Sequence, residues 1–394
     1  MTDNPLISVD EVLARLDSEV TPRPAGLVAL VEALGCVLAN DVLAECDQPA
    51  FDRSAIDGFA VKAGSAAGDF VLGGEILPGD LAPAIPAEGT ALRIFTGSAV
   101  PRDCALVMQE DALVNGGRVT LKRAASTDLI RRQGSSVRAG ARLLAAGDRI
   151  GAGEIAVLAS AGVVRPRVIP PPRVLHVTTG REVVPAGIMP GPGQIRDTNG
   201  PLVQALLQVA GAVPLASRHV DESADALVTA VHAAGDFDLL LVSGGSSVGE
   251  HDRTPQALMA LGFELLVRRV NVRPGKPLLV ARRGAQWAFG LPGNPVSHFA
   301  AFHVFVARAI RRLRGLPTTA FPRVRLGAGT GLSPSVRETF WPAKLGPAVV
   351  CPRPWLDSGD LAALAGVNAL IRLPAGLTAV VGDVVEVVVC PEPA

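Results

Sequence analysis

Neither sign of charge is in excess: 37 Lys and Arg stand against 37 Asp and Glu, so no net field draws the chain to nucleic acid or an acidic membrane. An anionic ligand must then be caught by local geometry. Cysteine is scarce, at Cys36, Cys46, Cys104, Cys351 and Cys390. An odd number with no C-x-x-C pair and no histidine at zinc spacing argues against a disulfide framework or a zinc site. The five read as buried thiols of a reducing compartment. The start, Met1 to Pro5, is polar and acidic, with neither the basic residues nor the apolar stretch of an export signal. Nowhere do about eighteen apolar residues run unbroken, as a spanning helix requires. A soluble, cytoplasmic protein with no nucleic-acid or membrane partner is expected.

What is present changes rhythm along the chain. The length of 394 residues exceeds what one hydrophobic core usually supports, so several domains are expected. A capping box, Ser8-Val9-Asp10-Glu11, precedes Val12, Leu13, Leu16 and Val20 at helical spacing, and Thr21-Pro22-Arg23-Pro24 stops that helix. From about Cys46 to Gly140 short apolar runs such as Phe59-Ala60-Val61, Leu92 to Phe95 and Ala105 to Met108 are split by Gly, Pro and Asp, which predicts a β-rich domain. Pro166 and the consecutive Pro170, Pro171 and Pro172 favour an extended connection and mark a boundary. Beyond it strands and helices alternate. Strands are predicted at Arg173 to Val177, Phe237 to Val242, Leu265 to Val272 and Trp287 to Leu291, with helices near Pro201 to Ala210, from Thr254-Pro255, and from Pro295 to about Arg314. This alternation implies an α/β sheet with helices on both faces. After Pro317 short β-type runs return, ending in Val384 to Val389, so a small β-barrel or sandwich closes the chain.

The residues that carry chemistry lie at the seams of this pattern. The buried strand ending in Val242 feeds Ser243-Gly244-Gly245-Ser246-Ser247-Val248-Gly249. Such a loop of small residues offers backbone N–H groups to an anion, and ligands prefer this end of an open sheet. The run lacks a Walker lysine and the full dinucleotide fingerprint, and it equally suits a tight strand-to-helix turn. Asp252 stands three residues further on, placed either to hold a divalent cation or to cap the next helix. In Gly290 to Ser297, Asn294 is placed to cap the long helix and Pro295 suits its first turn. Arg269 and Arg273 are expected on one strand face, with Lys276 after a Pro-Gly turn. Those three cations suit an oxyanion or an ordinary solvated edge. Asp57, in the turn Ile56-Asp57-Gly58, has turn chemistry as its default reading. The six histidines show no metal-site spacing and read as packing or surface residues.

Taken in order, Phe51 to Val61, Arg93 to Gly97 with Val107 to Asp111, Gln194 to Gly200, Ser243 to Asp252, Arg273 to Pro277 and Gly290 to Ser297 resemble the molybdopterin molybdenumtransferases, the MoeA family that includes the E domain of gephyrin. The resemblance implies an elongated multidomain chain of α/β plus β-rich domains: an N-terminal helix (1–24) packing on the α/β domain, a linker and dimerisation domain (25–43 and 141–171), a β-rich domain (44–140), a three-layer α/β molybdopterin-binding domain (172–321) and a C-terminal β-barrel (322–394). It implies a homodimer that takes adenylylated molybdopterin and molybdate as substrates, with Mg²⁺, and works alongside molybdopterin adenylyltransferase and apo-molybdoenzymes.

Residue by residue, the resemblance implies that Gly244, Gly245, Ser246 and Ser247 hold the pterin phosphate. It also implies that Asp57, Thr96, Arg131, Glu182, Asp221 and Asp252 line the reacting cleft, with Asp57, Glu182 and Asp252 at the metal. The β-rich wall of that cleft would come from the second subunit. Arg269, Arg273, Lys276, Pro292, Asn294, Pro295 and Ser358 would surround molybdate and phosphate. One departure stands out: the family usually reads Gly-Glu-Asp where this chain has Gly134-Ser135-Ser136. Hydroxyls are poorer Mg²⁺ ligands than carboxylates, so a pterin-binding or scaffolding role is the alternative.

Overall fold

A computed structural model describes residues 6–221, 223–244, 253–329 and 332–391. The chain forms two compact units. One comprises the N-terminal segment to Val28, Gly35–Ala39 and the chain from Arg167 onward, and the other comprises Ala29–Leu34 and Asn40–Pro166.

In the larger unit the central sheet runs in the order Val213–Pro214, Arg173–Thr179, Leu239–Ser243, Gln286–Leu291, Leu279–Arg283 and Glu264–Val267, with Arg218–Val220 also on Arg173–Thr179. Neighbours from Val213–Pro214 to Gln286–Leu291 are parallel, and the last two strands join antiparallel. Successive side chains of a strand point to opposite faces, and the two buried clusters show that alternation. Val174, Leu239, Leu241, Phe289 and Leu291 belong to one, while Leu175, Val177, Leu240, Val242 and Ala288 belong to the other. Both faces are covered, which is why these strands read as near-continuous apolar runs. Helix Asn199–Val209 and the long helix from Pro295 to Leu313 lie on the first face, and Ala224–His232 and Thr254–Ala260 on the second.

The predicted capping box is present: the Ser8 hydroxyl accepts from the Glu11 N–H, and the Glu11 carboxylate accepts from the Ser8 N–H. Helix Val9–Glu19 buries Val9, Val12, Leu13 and Leu16 in the first cluster, each worth about 1.5–3 kcal/mol relative to exposure. Its Asp17 carboxylate pairs with Arg308 of the long helix at 2.7 Å from Nε.

That long helix is not regular. Pro295–Ala301 and Ala307–Leu313 are α-helical, but Phe302–Val306 between them has the wider π-type turn. The predicted strand Leu265 to Val272 is also corrected: it stops at Val267, and Val272–Arg273 pairs in parallel with Glu338–Thr339 of the C-terminal domain. Arg269 therefore does not share a strand face with Arg273.

The C-terminal strands Glu338–Leu345, Val349–Pro352, Arg323–Leu326, Val384–Val389 and Ala369–Leu373 close on themselves, the last pairing with the first. Leu326, Ala343, Val350, Ile371 and Val387 fill the barrel. Of the five thiols, Cys36, Cys104 and Cys390 are buried as expected, whereas Cys46 is exposed and Cys351 half-buried. No described helix is long and apolar enough to cross a membrane.

The smaller unit is built on a sheet ordered Cys104–Met108, Gly58–Lys62, Thr90–Ile94, Gly68–Ile76, Arg118–Leu121 and Ala112–Asn115. It too is covered on both faces, with Ala60, Ile94 and Leu106 on one side and Phe59, Val61 and Val107 on the other. Gly58 is required here, because a Cβ on it would run into the Val107 carbonyl.

Candidate functional site

From Arg173–Thr179 the chain goes first to Val213–Val220 on one side and then to Leu239–Ser243 on the other. The strand order reverses between these neighbours, and an open α/β sheet receives ligands outside the C-terminal ends of its strands at such a point. Gly180 and Gly244 leave the sheet here. Gly244 has φ +95°, and a Cβ on it would lie 2.5 Å from the Thr179 carbonyl oxygen. Its N–H points to the Leu291 carbonyl at 3.5 Å, so it is wedged between the ends of two strands.

Around Gly180 the structure opens a pocket of about 430 Å³ lined by Gly180, Arg181, His219, Asp221 and Ser223. The Glu182 carboxylate lies over Gly180, where an added Cβ would meet Oε1 at 3.0 Å. Glu182 and Asp221, both exposed, are thus brought to one edge. Glu182 is held by its backbone, whose carbonyl accepts from the Ile195 N–H at 2.8 Å.

A second group gathers at the next strand end. The turn after Gln286–Leu291 holds Pro292, Gly293 and Asn294 ahead of the long helix. Asn294 has the extended backbone of an N-cap, yet its side chain makes no capping bond. It donates instead to the Ser358 hydroxyl at 2.7 Å, while the Ser358 carbonyl accepts from the Val296 N–H at 3.1 Å. The expected cap is corrected: a serine from the C-terminal domain supplies the partner the helix start would have used. Asn199 donates to the Gly293 carbonyl at 2.7 Å. Pro295 opens the helix as expected. The Gly275 turn abuts this site, since a Cβ on Gly275 would lie 3.9 Å from Pro292 Cγ.

Arg273, which with Lys276 flanks that turn, places its guanidinium 5.1 Å from the centre of the Trp355 ring, a cation–π contact that fixes its stem and leaves its donors available. Arg273, Pro292, Asn294, Pro295 and Ser358 therefore come together. The Arg269 carbonyl accepts from the Ile7 N–H at 3.3 Å, and the next residue, Val270, donates its N–H to the Lys276 carbonyl at 3.0 Å.

Under these loops runs a buried polar chain that sequence reading left among packing residues. His176 Nε2 lies 2.6 Å from Ser243 Oγ, His176 Nδ1 lies 3.2 Å from Ser217 Oγ, Ser243 Oγ lies 3.5 Å from His298 Nε2, and His298 Nδ1 lies 3.1 Å from the Pro292 carbonyl. Burial pushes His176 down to about 3 and His298 down to about 4. A usable signal existed, because a histidine inside Val174-Leu175-His176-Val177 is a polar group in a fully buried strand and must find partners.

In the smaller unit Asp57 and Thr96, 39 positions apart, meet. Asp57 Oδ1 accepts from the Thr96 N–H at 2.7 Å and from its hydroxyl at 2.8 Å. The N–H bond first and the hydroxyl second hold this exposed carboxyl below its ordinary range. Arg131 sits directly across a short antiparallel ladder from Arg53. Ser135 and Ser136 are exposed, in a turn where their N–H groups bond the carbonyls of Arg132 and Gln48. Gly245, Ser246, Ser247 and Asp252 lie outside the described residues. Among the described residues no three His, Cys, Asp or Glu side chains gather closely enough to hold a metal ion.

Residues 7–162 match the MoeA N-terminal region (domain I and II), and residues 176–312 match a probable molybdopterin binding domain. A molybdopterin molybdenumtransferase of Staphylococcus aureus is 31% identical over 386 residues, covering 94% of this chain and 92% of its own length. Its namesake in Staphylococcus epidermidis is 30% identical over 400 residues, covering 97% and 95%. A molybdopterin biosynthesis MoeA protein of Pyrococcus horikoshii has a similar fold over 98% of this chain and all of its own, with TM-score 0.80 at 24% identity. The chain belongs to the molybdopterin molybdenumtransferase family.

Proposed function

We propose that the protein inserts molybdenum into adenylylated molybdopterin, releasing AMP and giving molybdenum cofactor. The observation that carries this reading is the extent of the match, which spans both units and not the α/β domain alone. An adenylyltransferase of the same pathway shares the α/β domain but lacks the β-rich ones, so a match over the whole chain favours the later step.

The geometry suits that chemistry. The Arg273 and Lys276 cations flank the turn beside Pro292 and the Gly244 turn leaves the C-terminal end of its strand, the end at which an open sheet favours ligands, and fixed cations of this kind stabilise oxyanion charge without reorganising. Molybdenum is cargo: the pterin's own sulfurs bond it, so no protein nucleophile is required. Glu182, Asp221, Asp57 with Thr96, and Arg131 would orient the phosphates and water. Carboxylate oxygens such as those of Glu182, Asp57 and Asp252 are the donors Mg²⁺ takes, and the ion would screen phosphate charge when bound.

The protein would act in the cytoplasm as a homodimer, receiving its pterin from the adenylyltransferase and passing the cofactor to apo-molybdoenzymes. Val31, 84% exposed, and Val164, 67% exposed, lie near the contact where the Leu30 N–H bonds the Val164 carbonyl, and such apolar exposure suits a face covered by a second copy.

The test is molybdate-dependent AMP release from adenylylated molybdopterin by the purified protein, with reconstitution of an apo-molybdoenzyme as readout. Binding of the pterin without AMP release favours the scaffolding reading, for which Ser135-Ser136 is the supporting feature. Both serines are exposed, so Glu and Asp fit there without displacing anything buried. The double substitution Ser135→Glu with Ser136→Asp is expected to raise the AMP-release rate about tenfold, the scale of one added charged contact in a transition state. An unchanged rate would show that other groups already do this work.

A further inference from the structure

We propose that His176, Ser243 and His298 are positioning residues: they form a one-way hydrogen-bonded chain that locks together the entry to strand Arg218–Val220, the end of strand Leu239–Ser243 and the turn after Gln286–Leu291, at the floor of the anion site. This rests on the function proposed above and adds His176 and His298, which lie outside the stretches of the family resemblance, to Ser243, which begins one of them.

The direction of the chain follows from the donors available. Both rings are fully buried and neutral, so each has one N–H and one lone pair. The Pro292 carbonyl can only accept, so His298 carries its proton on Nδ1 and presents a bare Nε2 to Ser243, 3.5 Å away. A buried lone pair needs a donor, and the Ser243 hydroxyl is the donor beside it. With its proton turned to His298, Ser243 Oγ accepts from His176 Nε2–H at 2.6 Å. That leaves His176 Nδ1 to accept from the Ser217 hydroxyl at 3.2 Å. Every polar atom of the chain is satisfied in one arrangement only, with the two rings as opposite tautomers.

The anchoring points explain its use. Ser217 precedes His219 and Asp221 at the pocket beside Gly180, Ser243 immediately precedes Gly244, and Pro292 carries the turn into Asn294 and the helix start. Ser243 is the last ladder residue of its strand, paired with Thr178 and Leu291, and Ser217 stands just before the paired Arg218, so the chain ties side chains together at the points where the backbone ladder gives way to Gly244 and to the Pro292 turn. An ångström of relative movement between such loops costs a bound phosphate its convergent donors. Because both histidines stay neutral well below pH 6, the lock does not loosen over the pH range in which the protein works.

The experiment pairs two readouts on the full-length protein. Imidazole ¹⁵N shifts of the ligand-free wild type are expected to show His176 protonated at Nε2 and His298 at Nδ1, and the reverse pattern for either ring overturns the chain. Ser243→Ala removes the central hydroxyl. It is expected to raise the KM for adenylylated molybdopterin about tenfold, the scale of one buried hydrogen bond, with kcat within about twofold. Ser243→Thr keeps the hydroxyl and is expected to recover most of that loss. Equal KM in wild type and Ser243→Ala, or a fall in kcat that merely tracks the folded fraction, overturns the positioning role while leaving the function intact. A wild type that releases no AMP removes the function reading, and the chain is then decided by the tautomers.

Discussion

Gly244→Val is expected to reduce molybdate-dependent AMP release to about one hundredth of the wild-type rate or less, the cost of misplacing a binding loop by roughly an ångström. Two independent constraints meet at this residue. Its φ of +95° lies where a β-branched side chain is an outlier, and the left-handed region alone costs an L-residue about 1–2 kcal/mol. The added Cβ would also stand 2.5 Å from the Thr179 carbonyl oxygen and 2.8 Å from its hydroxyl. The obstacle is backbone in the neighbouring strand, which cannot swing aside as a long side chain would. Either Thr179 or the loop beginning at Gly244 must move, and both border the strand-order reversal. Thermal unfolding is expected to show a loss of about 2–3 kcal/mol, too little to unfold the unit. A Gly244→Val protein that turns over at the wild-type rate would mean that this turn does not shape the anion site.

Asp57→Asn is expected to lower the AMP-release rate by about two orders of magnitude, as removal of a charged group acting at a reacting phosphate does, with only a small fall in melting temperature, because the group is exposed. The substitution keeps an oxygen to accept from the Thr96 N–H and hydroxyl, so only the charge is lost. The pH dependence follows from the same contacts. Thr96 depresses the Asp57 pKa, so the carboxylate stays ionised as pH falls through the ordinary carboxyl range and loses its charge only below it. Wild-type activity is therefore expected to show no acid limb from Asp57 near pH 5. Thr96→Ala removes the hydroxyl contribution, raises the Asp57 pKa and moves the acid limb upward. Rate profiles of wild type and Thr96→Ala that superimpose on the acid side would detach Asp57 from the reaction.

The strand and helix pattern was legible where burial is one-dimensional. The runs around Leu240 and Phe289 read as strands because both faces of the sheet are covered, and the Ser8 capping box read as a helix start because its partners are three residues apart. Legibility failed where a segment changes allegiance. Val272–Arg273 carries the same β-type residues as the strand before it, and only the barrel's free edge at Glu338–Thr339 decides that it pairs there. Local rules make Asn294 a cap, but Ser358, 64 positions away, takes its side chain. The pairing of Asp57 with Thr96 and the chain through His176, Ser243 and His298 have no local signature, since each joins residues from different strands or turns.

By itself, then, the order of residues determined the succession of elements, the glycines at tight turns and the family, because these depend on neighbours a few positions apart and on motifs kept in series. Tertiary structure decided which polar groups answer one another: Asp57 with Thr96, Arg273 against Trp355, and two buried histidines as opposite tautomers. Hydrogen-bond direction and desolvation are properties of groups brought together in space, and a linear chain carries no record of them until it folds.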